Sequence, residues 1–114
     1  MKQRILVLNG QRLIERWEDE EWKTTKVAKA EELKGGVYNI FTARDGNKNQ
    51  VTQGILVHAT KDEIFLKGNY GFMKFDITED TKIPAIGSHV NLSYDQDSLK
   101  IEKSEKKQSH KLTR

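Results

Sequence analysis

Reactive side chains are sparse in this 114-residue chain: three histidines, one acidic cluster and no cysteine. An imidazole becomes a base or a ligand only when a nucleophile, a carboxylate or further ligands converge on it. His58 stands inside the apolar run Gly54–Thr60, where an imidazole reads as a hydrogen-bonded core residue rather than a base. His89 follows Ser88, but neighbours on a strand point to opposite faces and so cannot pair as base and nucleophile. His110 lies near the C-terminus, apart from both. No HxH, HExxH or Cys/His spacing of a zinc site occurs, and without cysteine there is neither a thiolate ligand nor a disulfide framework.

The acidic residues Glu15 and Glu18–Glu21 could hold a divalent cation, but they lack the spaced ligands and closing bidentate Glu of a calcium loop. A solvated turn explains them better. The glycines spell neither GxxxxGK[ST] nor GxGxxG, and each has a turn to account for it. No catalytic residue, cofactor site or metal site is therefore assigned, and the chain is expected not to be an enzyme.

Charge supplies the remaining chemical feature. The formal net charge is +3, unevenly placed. Lys103, Lys106, Lys107, Lys111 and Arg114 stand against Glu105 alone, so residues 103–114 carry +4 and residues 1–102 carry −1. The pI of 9.1 thus belongs to the C-terminal run. Those five cations could sit on phosphates and release counterions, giving salt-sensitive affinity for DNA without sequence preference. A merely solubilising terminus is the competing reading. Lys23, Lys26, Lys67 and Lys74 could extend the patch or guard strand edges against aggregation.

Short strands must position all of this. Asn9-Gly10 separates two apolar runs, and both residues accept the positive φ of a type I′ turn. A two-residue loop then pairs Leu8 with Gln11, Leu6 with Leu13, Ile5 with Ile14 and Arg4 with Glu15. Trp22–Val27 fits a third strand after the acidic turn. Trp17 and Trp22 flank that turn, either packed on a sheet edge or offering a surface for base stacking. Ala28–Leu33 favours a helix of at most a turn or two, stopped by Gly35-Gly36. Val37–Ala43 reads as a strand, and Asp45-Gly46 opens a loop.

The stretch from Val51 to Ile77 holds three apolar runs on short turns, an antiparallel meander whose first strand is buried on both faces. Thr78–Ser88, with the only proline, is a connector that could include one helical turn capped by Thr78. His89–Tyr94 alternates strictly and Leu99–Glu102 makes a last strand. The expected architecture is mainly β: a small antiparallel, strongly bent sheet or SH3-like barrel with an N-terminal hairpin and at most a short helix. Residues 1–102 form one domain, followed by a flexible basic tail, 103–114. No apolar run approaches the roughly 20 residues that span a bilayer, and a soluble, cytoplasmic protein without membrane contact is expected.

The segments RILVLNGQRLIERWEDEEWKTTKVAKAEELKGGVYNIFTA, GILVHATKDEIFLKGNYGFMKFD and IPAIGSHVNLSYD together resemble the KfrB-like domain proteins of plasmids and integrative conjugative elements. The Gly54-Ile55 strand and the Gly87-Ser88-x-Val90-x-Leu92-x-Tyr94 strand carry the resemblance, which spans residues 3–95. It implies a bacterial accessory protein of mobile-element maintenance or transfer, and it brings no catalytic residues with it. Two functions follow as expectations. One is a non-catalytic module binding DNA, or a DNA-processing partner such as a relaxase or partition protein. The alternative is a protein-interaction adaptor without nucleic-acid binding, using edge strands and Trp17, Trp22, Tyr70 and Phe72. The sequence leaves the oligomeric state open.

Overall fold

The computed structural model describes residues 2–69, 71–78, 80–95 and 98–103. Two sheets share one core. Strands β1 (Gln3–Leu8), β2 (Gln11–Glu18), β3 (Glu21–Lys29) and β4 (Gly36–Tyr38) form an antiparallel sheet in the order β3-β2-β1-β4. Strands β5 (Arg44–Asp45), β6 (Thr52–Ala59), β7 (Glu63–Gly68), β8 (Gly71–Asp76), β9 (His89–Asp95) and β10 (Ser98–Lys103) form a second, in the order β10-β9-β6-β7-β8-β5.

The N-terminal hairpin has the register set by its turn: Leu8 opposite Gln11, Leu6 opposite Leu13, Ile5 opposite Ile14 and Arg4 opposite Glu15. Asn9 and Gly10 take φ of 54° and 78°, as a type I′ turn demands. The β6–β7–β8 meander also forms. Leu56, Val57 and His58 are buried in succession, because a bulge at Val57 breaks the alternation of β6. Ile5, Val7 and Ile14 of the first sheet share a core with Leu56, Ile64, Leu66, Val90 and Leu92 of the second.

Four expectations need correction. No helix forms at Ala28–Leu33: β3 runs on to Lys29, pairing Ala28 with Arg12 and Lys29 with Gln11. Ladder hydrogen bonds to an existing strand outweigh the propensity of a segment too short to nucleate a helix. The strand expected over Val37–Ala43 ends at Tyr38 and becomes a 3-10 turn, Ile40–Thr42, which sends Ile40 into the core and leaves Phe41 outside. Arg44–Asp45 is a short strand parallel to β8, so the second sheet is mixed rather than purely antiparallel. Both sheets keep free edges, and no closed barrel forms among the described residues.

The connector from Thr78 makes one hydrogen-bonded turn, Thr81 N–H to Thr78 C=O at 3.1 Å, without a helix. Its far end stitches the sheets together. Gly87 N–H donates to Leu56 C=O at 2.7 Å, and Glu32 N–H donates to Ile86 C=O at 2.9 Å. Gly87 has φ of +96°, and a Cβ there would overlap the backbone of Glu32 and Leu33. Only glycine meets both demands.

Candidate interaction face

The four-stranded sheet buries one face against the core, and no element among the described residues covers the other. Register assigns the residues of this outer face. Leu6 lies beside Leu13 and Val37, Leu13 beside Val27, Arg4 beside Glu15, and Trp17 beside Trp22. Leu8, Val27 and Val37 are each about half exposed, at 51%, 53% and 52%.

A bulge in β3 makes this face continuous. Trp22 and Val27 are five residues apart, and unbroken alternation would put them on opposite sides. The register slips between Ile14 and Glu15, leaving Thr25 as the extra residue, with its hydroxyl donating to Ile14 C=O at 3.1 Å. The slip returns Trp22 to the side that Val27 occupies.

At one end of the face the aromatic rings gather. Trp17 and Trp22 meet edge to face at 5.3 Å, and Phe41 lies 5.8 Å from Trp22. The Arg4 guanidinium stacks 4.3 Å from the Trp22 ring, while its Nε donates to Glu15 Oε1 at 2.6 Å. Lys2 Nζ lies 5.6 Å from the Trp17 ring and 5.4 Å from Phe41. The neighbouring acidic turn is partly offset within the hairpin and stays net negative: Lys23 reaches Asp19 at 3.1 Å and Glu21 at 3.9 Å, and Arg16 reaches Glu18 at 3.3 Å, while Glu20 has no ion pair among the described residues. The result is a surface of rings and aliphatic side chains with its charges mostly paired. Surfaces of that composition suit protein contacts better than phosphate contacts.

The histidines stay apart. His58 is buried, and desolvation, followed by the nearby cations Arg12 and Lys26, lowers its pKa to about 4. Among the described residues its Nδ1 has no hydrogen-bond partner, and its ring packs 5.8 Å from Phe65; the expected burial is found, without a hydrogen bond at Nδ1. Ser88 is buried and His89 exposed, which separates them as strand geometry requires. Among the described residues no three His, Cys, Asp or Glu side chains are grouped to hold a metal ion. A cleft of about 280 Å³ lined by Asp76, Asp80 and Ser98 holds no such group among the described residues.

Of the five cations expected to contact nucleic acid, Lys103 ends β10 with its Nζ 3.9 Å from Glu32. Lys106, Lys107, Lys111 and Arg114 lie outside the described residues, as do His110 and Tyr70. Of the expected aromatic patch, Trp17 and Trp22 come together. Phe72 does not join them: it sits on β8, half-buried, edge to face with Tyr38 at 6.4 Å. Phe41, which the sequence places in a strand, takes the place expected of Phe72. Its only sequence signal is its position in an aromatic, β-branched run.

No protein-family model matches the chain, and no curated protein matches it either.

Proposed function

We propose that this protein is a non-catalytic binding module that docks a protein partner through the outer face of its four-stranded sheet. One observation carries the reading: an exposed face joining Leu8, Val27 and Val37 to Trp17, Trp22 and Phe41, with most neighbouring charges paired inside the chain and Glu20 and Lys29 left at its two ends. Aromatic residues and arginine concentrate at protein interfaces, and isolated charges are depleted from their centres. The resemblance to KfrB-like proteins supplies the setting, an accessory role in plasmid or conjugative-element maintenance or transfer in the bacterial cytoplasm. There the partner is a DNA-processing protein or another copy of an accessory factor. In the same reading the six-stranded sheet is an opened relative of an SH3-like barrel, with β6 as its central bulged strand.

DNA contact is a second reading, and it rests on residues 103–114 rather than on the β body. The net charge of +4 in that run favours it. The pairing of Lys103 with Glu32 leaves the rest of the run to supply the contact.

A photo-crosslinking residue at Val37 tests the docking face in cells carrying the mobile element, with the same residue at Lys61, in the turn after β6, as control. Discrete protein adducts at Val37, absent at Lys61 and lost on Trp17→Ala, are expected. Equal adducts at both positions, or none at either, would reject the face as a docking site.

A further inference from the structure

We infer that the occupant of the outer face is a second copy of the chain, packed face to face as a symmetric dimer; this rests on the docking reading above. The first argument is area. Strands lie about 4.8 Å apart and rise about 3.3 Å per residue, so strands of six, eight, nine and three residues present a footprint of roughly 400 Å². Side chains projecting from it present more accessible surface than that footprint. The face therefore suits a dimer at the small end of the range, below the roughly 800 Å² per partner of a standard stable interface.

The second argument is that the two ends of the face complement each other. One end carries the large rings Trp17, Trp22 and Phe41, beside the acidic turn Glu18–Glu21. The other carries the shorter Leu8 and Val27, with Lys29 on the same side through its pairing with Gln11. Glu20 and Lys29 take part in no ion pair among the described residues.

Symmetry then selects the arrangement. A two-fold axis lying in the interface and crossing the strands keeps β3 over β3 but exchanges the ends. It lays the rings of one copy over the aliphatic side chains of the other, and the acidic turn of one against Lys29 of the other. Every contact occurs twice, as an isologous interface requires. An axis running along the strands would instead keep both acidic turns at the same end of the interface, with no Lys29 opposite either of them. A nucleic-acid strand on this face would meet the same acidic turn.

Sedimentation velocity and light scattering of the full chain, from about 1 to 100 μM, test the dimer. The expected mass is twice the 13.2 kDa of one chain, falling to one chain in the Val27→Lys/Val37→Lys variant. Both positions are half exposed, and circular dichroism checks that the variant folds. A charge-reversal series decides the geometry even if that variant does not fold. Glu20→Lys and Lys29→Glu are each expected to raise the dimer Kd roughly three- to tenfold, from two symmetric rim contacts of modest strength. The double reversal is expected to restore it. A monomer throughout the concentration range, a dimer indifferent to Val27→Lys/Val37→Lys, or a double reversal that fails to restore the Kd would overturn the proposal. A monomer that still gives face-specific adducts at Val37 with a different protein removes the dimer alone and leaves the docking reading standing.

Discussion

His58 is a buried titratable side chain that ties stability to pH. Its folded pKa of about 4 lies below the ordinary value of 6.5, because burial and the nearby Arg12 and Lys26 disfavour the imidazolium. Between those two pH values the unfolded chain binds the extra proton. Stability therefore rises with pH across the window, and its loss begins as pH falls below 6.5. From pH 7 to pH 5 the cost is about 2 kcal/mol. Chemical unfolding across that range should show the decline in the native chain and a much flatter profile in His58→Leu, whose side chain needs no partner for Nδ1. An unchanged slope in the variant would mean that some other group sets the pH dependence. The Arg4–Glu15 pair poses a different residue-scale question. Glu15 is buried and accepts the Arg4 Nε bond. Arg4→Ala leaves that carboxylate without its partner and should cost about 2 kcal/mol, whereas Arg4→Ala/Glu15→Ala should cost less than the two single changes added. A double-mutant cycle by chemical unfolding measures the coupling.

At the scale of elements, two irregularities do most to shape the molecule. The Thr25 bulge turns a strand with split apolar positions into one that presents Trp22 and Val27 on one face. Deleting Thr25 restores strict alternation, so one half of β3 must turn its side chains over. The Trp17–Trp22 pair is close enough to couple its electronic transitions, and the resulting far-ultraviolet circular dichroism couplet should vanish on deletion. A couplet that persists would place the pair's geometry in the hairpin turn rather than the bulge. The second irregularity is the Gly87 crossing, where the connector touches the segment after β3 and bonds to β6. Gly87→Ala meets backbone on one side and an unfavourable φ on the other. A loss of more than about 2 kcal/mol is expected, from backbone strain and displacement together. Thermal unfolding reads it directly.

For the whole molecule, the nearly neutral β body and the basic C-terminal run divide the possible contacts between them. If residues 103–114 anchor DNA, anisotropy across a salt series should give a log–log slope of about −3 to −4 for the full chain. A truncation ending at Lys103 should then lose the binding. Binding that survives truncation but disappears with Trp17→Ala would transfer the nucleic-acid contact to the sheet face and displace the protein-docking reading. A dimer would carry two basic runs, and the effective concentration of the second would strengthen a weak contact without any new residue.

What local chemistry specifies was legible from the residues alone. The Asn9-Gly10 turn sets φ and loop length, and these fix the hairpin register pair by pair. Alternation and turn residues likewise locate the meander and β9, where Val90 and Leu92 are buried as the pattern requires. Long-range contacts decided the rest. A ladder with β2 drew Ala28 and Lys29 out of a helix and into a strand. Core demand for Ile40 ended β4 early and turned Phe41 outward. The Thr25 slip is invisible in composition, because a bulge arises from how two strands accommodate one another. For that reason the candidate face could not be assembled from sequence: its rings and aliphatic residues come from β1, β2, β3, β4 and the 3-10 turn, and only their pairing places them side by side.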